Sequence, residues 1–179
     1  DHLGNMGKET YFPGANDNAS GVAMLIEIAN YYAKNPPSYS VAFIAFGAEE
    51  AGLVGSRYYT ALPFFSLQSI KFLINLDLFG TGATGTTVVN GAIFKEEFEL
   101  LKSINEEKKY LKTVAKRGEA ANSDHYFFYQ AGIRCFFLYL QGDWPHYHDV
   151  NDATPLPYSH FPQAFGLIKD FSDALMSQP

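Results

Sequence analysis

The chain has 179 residues, of which 47% are hydrophobic and 16% aromatic, so it has enough apolar material for the core of one domain. Its formal net charge is −6 and its 13 lysines and arginines are dispersed, which argues against a nucleic-acid partner. No apolar run reaches the roughly 18 residues of a membrane-spanning helix, so the sequence predicts no membrane span.

The first half of the chain predicts a loop followed by alternating helices and strands. Residues 1–18 are rich in Gly, Asn and Pro and predict an ordered surface loop. Apolar residues at helical spacing predict a helix over 19–34, which an Asn-Pro-Pro sequence ends. The apolar runs 40–47 and 70–78 predict buried strands, and a short helix is predicted over 50–59 between them.

The second half continues this alternation, with predicted strands over 86–90 and 134–140 and predicted helices over 94–108, 123–131 and 162–176. The one cysteine, Cys135, lies in an apolar run and is predicted to be buried. Apolar strands between helices are typical of a parallel sheet covered on both faces. The predicted fold class is therefore α/β, with a mostly parallel central sheet.

Two local patterns resemble other kinds of site. Residues 80–85 match the glycine pattern of a dinucleotide-binding loop, but they lead into a predicted strand, whereas such a loop requires a helix N-terminus. We interpret the segment as a flexible connection. Residues 18–20 match a glycosylation sequon, but their place in a polar loop favours a role in a site.

Acidic residues and a histidine fall where predicted strands end or helices begin: Asp17, Glu49, Glu50, Asp77 and His148. In an α/β sheet these positions converge on one edge, and carboxylates with an imidazole suit zinc. Each residue alone has another interpretation: Asp17 as a helix cap, Asp77 as a turn former and His148 as a surface residue. The adjacent Glu49 and Glu50 point in different directions and can do different work, or both can interact with a helix N-terminus.

Six segments, in order along the chain, resemble the motifs of the co-catalytic zinc aminopeptidases of metallopeptidase family twenty-eight: residues 1–4, 14–21, 48–56, 75–77, 123–128 and 147–152. The resemblance implies a three-layer α-β-α fold of the zinc exopeptidase (phosphorylase/hydrolase-like) type, without its N-terminal strands. It also implies that residues 1–179 form a single zinc peptidase catalytic domain.

The resemblance further implies that Asp17 bridges two zinc ions, that Glu50 and His148 complete one site and that Asp77 belongs to the other. The second site's histidine is expected two residues before Asp1, which would orient it, and His2 does not replace it. We therefore expect the chain to be truncated or processed at its N-terminus. Two zinc ions are expected in the complete protein, and one or none in this chain.

Glu49 would be the general base and acid in this comparison, and Tyr147 would hydrogen-bond the carbonyl oxygen or tetrahedral intermediate. A cis peptide is expected between Asp17 and Asn18. The remaining expectations concern residues around the metal or the substrate: Asp124 and His125 beside the site, Asp152 orienting the loop of His148, and His146 and His160 in surface or packing positions.

The function implied is a zinc-dependent aminopeptidase that hydrolyses the N-terminal peptide bond of peptides with a free N-terminus, through a water activated by the metal. The protein is expected to be an exported bacterial protein, periplasmic or secreted.

Two alternatives to the aminopeptidase function stay open. A glutaminyl cyclase on the same fold would use one zinc held by residues such as Asp17, Glu50 and His148, and a catalytically incomplete fragment would be a structural or binding module.

Overall fold

The computed structural model describes residues 2–177 and contains six strands. They are β1 (Gly4–Met6), β2 (Thr10–Phe12), β3 (Leu73–Asp77), β4 (Gly85–Val89), β5 (Val114–Lys116) and β6 (Cys135–Gln141). β1 and β2 form an antiparallel hairpin, and the other four form a sheet in the order β3-β6-β4-β5. Two of the three pairings in this sheet are parallel, and β6 pairs antiparallel with β4.

Helices cover both faces of the sheet: α1 (Gly21–Lys34), α2 (Val54–Ala61), α3 (Lys95–Lys108), α4 (His125–Gln130) and α5 (Phe161–Met176). Successive residues of β6 point to opposite faces, so Phe136 and Leu138 pack into the main core with Leu101 of α3 and Phe171 of α5. Phe137 points the other way and lies against His125 of α4. This arrangement confirms the predicted three-layer α/β architecture.

The predicted strand over 40–47 is wrong for the described part of the chain, because the segment is extended but forms no ladder with another strand there. A strand needs hydrogen-bonding partners for its backbone N–H and C=O groups, and the apolar composition of this segment does not provide them. Val41 and Phe43 remain 39% and 36% exposed. Ile44 and Phe46 pack on the small cluster around Phe128, so one side of the segment is anchored beside the sheet.

Three other features differ from the predictions: the start of one helix, an additional hairpin and an additional strand. The helix predicted over 50–59 begins only at Val54, because Gly52 and Leu53 have φ angles of 97° and 59° that turn the chain before it. The predicted loop over 1–18 contains the hairpin β1–β2, and the three-residue strand β5 has no counterpart in the predictions.

Among residues 2–177, no helix combines the length and the apolar character needed to cross a membrane.

Candidate metal centre

Asp17, Glu50 and His148 converge at the edge of the sheet. His148 Nε2 lies 3.2 Å from Asp17 Oδ2 and 2.8 Å from Glu50 Oε1. One ligand atom from each of the three residues falls within 4.8 Å of the others. Residues from positions 17, 50 and 148 thus offer two carboxylate oxygens and one imidazole nitrogen to a single point.

The Asp17 loop is held in place by a buried carboxylate from the far end of the chain. Asp152 accepts hydrogen bonds from the backbone amides of Asn16 and Asp17, each at 2.9 Å. The peptide between Asp17 and Asn18 is cis, which confirms the expectation. The Asn18 side chain then donates to Leu76 O at 3.1 Å, so the loop is tied to β3 as well.

Glu50 lies in a tight turn that joins the extended segment 40–47 to α2. Gly52 N and Leu53 N both donate to Glu49 O, at 2.9 and 2.7 Å. Gly55 N donates to Gly47 O at 3.1 Å, and a Cβ on Gly55 would lie 2.4 Å from that oxygen. Glycine at position 55 therefore allows the start of α2 to pack against the turn that presents Glu50.

His148 occupies a left-handed backbone conformation, with φ of 55°. Its ring stacks on that of Tyr147, with ring centroids 3.9 Å apart and an interplanar angle of 21°. Trp144 Nε1 donates to Asp152 Oδ1 at 2.9 Å. Asp152 therefore contacts both Trp144, four residues before His148, and the loop of Asp17, and the sequence did not indicate the second contact. Its role in orienting the loop of His148 stays a prediction.

The acids around this point repel one another. Burial and the nearby Glu50 and Asp152 carboxylates raise the pKa of Asp17 to about 7. Burial and the charges of Glu50, Asp124 and Asp17 raise the pKa of Glu49 to about 7 as well. A bound cation would offset both the burial of these charges and their mutual repulsion.

Asp77 lies close to this cluster but outside its three-residue set. Burial, followed by the charges of Asp17 and Glu49, raises its pKa well above the ordinary range. Its Oδ1 is buried and has no hydrogen-bond partner in the described part of the chain. An unpaired buried carboxylate oxygen is costly, and a second cation beside Asp17 would satisfy it.

The other predicted site residues are placed around the cluster. Asp124 is buried near Glu49, and burial raises its pKa. His125 is buried against Phe137, and burial lowers its pKa to about 4.

Tyr147 is 60% exposed, and its partial burial and the nearby acids raise its pKa to about 12. His146 lies 3.9 Å from Asp149, and His160 contacts Ser159. Asp1 lies outside the described residues.

The cluster borders a cavity of about 10 Å³, which is close to the space that one water molecule needs. Leu3, Phe12 and Gly14 from the N-terminal part of the chain also line it, together with Asp149 and Asp152. A space of this size suits an ion or a water, and the donor atoms of Asp17, Glu50 and His148 suit a tetrahedral zinc ion with one position left open.

The family model described as Peptidase family M28 matches residues 1–167 of the chain. The chain belongs to peptidase family M28. The family resemblance found in the sequence is therefore confirmed.

Aminopeptidase YwaD of Bacillus subtilis is 33% identical to this M28 chain over 126 residues, which are 69% of the chain and 28% of that protein. Among solved structures, the zinc aminopeptidase BSAP of Bacillus subtilis superposes with a TM-score of 0.78 at 28% identity, over 90% of this chain and 42% of that one.

A glutaminyl cyclase of Porphyromonas gingivalis superposes with a TM-score of 0.73 at 18% identity, over 92% of this chain and 64% of that one. That likeness shows a shared fold. The M28 chain spans less than half the length of the two Bacillus proteins.

Replacing Asp152 by Ala should destabilise the M28 chain strongly. The buried amides of Asn16 and Asp17 and the Trp144 indole N–H would all lose their acceptor, and unpaired buried donors cost about 1–3 kcal/mol each. We expect the free energy of unfolding in urea to fall by about 3 kcal/mol or more. Asp143→Ala, at an exposed acid next to Trp144, is the matched control, and equal effects of the two substitutions would contradict this role of Asp152.

The metal-free M28 chain should lose stability as the pH rises towards neutrality. Asp17 and Glu49 have pKa values of about 7 in the folded chain, against ordinary values of 3.8 and 4.5. Raised folded pKa values mean that the folded state binds protons more tightly, so this contribution is full below about pH 4 and is lost as the pH passes about 7.

Thermal unfolding of the chelated chain tests this at several pH values between about 5 and 8. Asp17→Asn should flatten the decline in midpoint, and added zinc should reverse it. A midpoint that rises equally with pH in both proteins would count against the burial of these charges.

Proposed function

We propose that this chain forms the catalytic region of a zinc-dependent aminopeptidase, which removes the first residue of a peptide. The observation that carries the proposal is the convergence of Asp17, Glu50 and His148 on one point. Two carboxylates and an imidazole are a donor set typical of zinc. The names of YwaD and BSAP as aminopeptidases, and of BSAP as a zinc enzyme, support the same activity.

Zinc held by these three residues would polarise the scissile carbonyl and lower the pKa of a water molecule. Glu49 lies near Glu50 and Asp17. A cation bound there would favour its ionised form, so Glu49 can take a proton from the attacking water and later give it to the leaving amine. Tyr147 has a pKa of about 12. Its hydroxyl therefore stays protonated at neutral pH and can donate a hydrogen bond to the carbonyl oxygen of the substrate.

The requirement for a free N-terminus has a counterpart in the site. Asp17, Glu49 and Asp77 supply clustered carboxylate oxygens, and the α-amine of a peptide can donate hydrogen bonds to those oxygens that a bound cation leaves free. Asp77 and Asp17 would also serve a second zinc ion together with the histidine expected upstream of Asp1. We propose that residues 1–179 alone bind one zinc ion tightly, because a lone pair of carboxylates gives a weak second site.

The test is hydrolysis of leucine anilide by the full-length natural protein. We expect release of the aniline that stops when the metal is chelated and returns with zinc. The N-acetylated anilide is the matched control, since it lacks the α-amine but keeps the scissile bond. Hydrolysis of both at the same rate, or hydrolysis that survives chelation, would overturn the proposal.

The exported location that the resemblance implies stays a prediction, and cell fractionation tests it.

A glutaminyl cyclase is the second candidate. One observation favours it: the described residues hold a single complete three-residue metal set, which is what a one-zinc cyclase would need. Ammonia release from a peptide that begins with Gln separates the two functions. Ammonia release without cleavage of leucine anilide would replace the aminopeptidase by the cyclase.

A further inference from the structure

We propose that three side chains of the loop Ala15–Ser20 are positioning residues, which fix Asp77 relative to Asp17 and thereby set the affinity for a second zinc ion. The three are Asn16, Asn18 and Ser20, and we call them the amide clamp. This inference rests on the proposed aminopeptidase function, in which Asp17 and Asp77 would serve the second ion. The amide clamp lies outside the three-residue metal set, so it acts through the backbone that carries Asp77.

The amide clamp binds the three backbone amides that follow Asp77. Each amide donates to a different side chain: Leu78 N to Asn18 Oδ1 at 3.3 Å, Phe79 N to Ser20 Oγ at 2.7 Å and Gly80 N to Asn16 Oδ1 at 2.8 Å. The chain turns at the first of these residues, where φ is 59°. The amide clamp therefore holds the turn directly after Asp77 over three consecutive residues.

The amide clamp also holds its own loop and the end of β3. Ser20 is fully buried, and its hydroxyl donates to Asn16 O at 2.7 Å while it accepts from Phe79 N. The carboxamide of Asn18 donates to Leu76 O at 3.1 Å. A hydroxyl and a carboxamide each combine a donor and an acceptor, so these side chains can bridge two backbone segments at once. The end of β3 is thus held on both sides of its last residue.

The loop presents its metal-binding acid on one side and the amide clamp on the other. The backbone at Asp17 is close to extended, with φ of −110° and ψ of 91°, and neighbouring side chains of an extended chain point in opposite directions. Asn16 and Asn18 contact the end of β3 and the turn after it, whereas Asp17 Oδ2 lies 3.2 Å from His148 Nε2. One short loop therefore joins an acid of the metal set to the strand that carries Asp77.

A glycine allows the close approach of the turn to the loop. A Cβ on Gly80 would lie 2.7 Å from Asn16 Oδ1, so a larger residue at this position would displace the Asn16 side chain. Two patterns noted in the sequence gain a structural role from these contacts. The glycine-rich segment 80–85 begins at the amide clamp, and the two polar residues of the sequon-like segment 18–20 are buried in it.

The amide clamp and Asp152 hold the loop to different partners. Asp152 accepts two amides of the loop and the Trp144 indole N–H, whereas the amide clamp binds β3 and the turn after it. Asp77 Oδ1 has no hydrogen-bond partner in the described part of the chain, so its place depends on the backbone that the amide clamp holds. Loss of the amide clamp should therefore displace Asp77 and leave the three-residue metal set together.

The experiment measures both zinc-binding steps of the full-length natural protein by competition with a chromophoric chelator. We expect the natural protein to bind two zinc ions. Ser20→Ala should weaken the second step by about tenfold to a hundredfold, the usual effect of losing a group that orients a metal ligand, and should change the first step by less than about threefold. Asn16→Ala removes a different contact of the amide clamp and should act in the same direction, and it replaces Ser20→Ala if that variant does not fold.

Asn105→Ala is the matched control, because Asn105 of α3 makes the same kind of contact outside the metal centre. Its buried side chain donates to Leu111 O at 2.9 Å and accepts from Leu111 N at 2.8 Å. Its loss should lower the free energy of unfolding in urea, as loss of a clamp residue does, but leave both zinc-binding steps unchanged. A weaker second step in the clamp variants alone thus separates positioning from a general loss of stability.

The inference is overturned by a natural protein that binds a single zinc ion, by clamp variants that bind the second ion as tightly as the natural protein, by equal weakening of both steps, or by the same weakening in Asn105→Ala. Leucine anilide hydrolysis keeps the two proposals apart. Hydrolysis by the natural protein, with an unchanged second step in the clamp variants, removes the inference alone. A selectively weakened second step in a natural protein that does not hydrolyse the anilide removes the proposed function alone.

Discussion

Glu49→Gln is expected to lower kcat of the full-length natural protein by about a hundredfold to ten-thousandfold while zinc content stays unchanged. Gln keeps the size of Glu but cannot accept a proton, and general base catalysis contributes a factor of this order. Glu49 lies outside the three-residue metal set, so its loss should not release the ion. Anilide hydrolysis and metal analysis on the same preparation measure both quantities.

The matched control for this substitution is Glu107→Gln, the same chemical change at an exposed residue of α3. It should leave kcat unchanged. Glu49→Gln with nearly normal turnover would remove Glu49 as the base. Loss of zinc from Glu49→Gln would show instead that Glu49 is a ligand, and the division of work between Glu49 and Glu50 would be wrong.

His148→Ala is expected to weaken zinc binding by at least about a hundredfold, because it removes the one imidazole from the set and leaves two carboxylates without their third partner. Glu50→Gln should weaken binding in the same direction. Competition with a chromophoric chelator measures the affinity. His160→Ala is the control, since this histidine contacts Ser159 and is not in the metal set.

The sequence indicated the residues of the candidate metal centre because their positions follow from local patterns. Asp17 precedes α1, Asp77 ends β3 and Glu50 follows an apolar run. The carboxyl ends of strands meet at one edge of an α/β sheet, so element order was enough to predict that Asp17 and Asp77 lie near this edge. Glu50 follows an extended segment that is outside the described sheet, so its place beside them is seen only in the folded chain. The cis peptide after Asp17 has no local signal of this kind, and its prediction came from the family resemblance.

Other features depend on contacts between distant residues and could not be predicted from local patterns. The prediction of a strand over 40–47 is wrong because a strand requires a neighbouring strand to pair with, and the composition of the segment does not reveal whether one is present. The double role of Asp152 joins residues more than 130 positions apart. Trp144 stood in an aromatic segment next to the predicted ligand His148, which was the available signal, but its hydrogen bond to Asp152 appears only in the folded chain.

Zinc X-ray absorption of the 179-residue chain after dialysis, compared with His148→Ala, tests the metal centre most directly. We expect one zinc per chain, with oxygen and nitrogen ligands at about 2.0–2.2 Å and the scattering signature of one imidazole. His148→Ala should lose both the imidazole signature and most of the zinc. A chain that retains no zinc, or a His148→Ala variant with the same zinc content and the same imidazole signature, would contradict the assignment of Asp17, Glu50 and His148 as the metal centre.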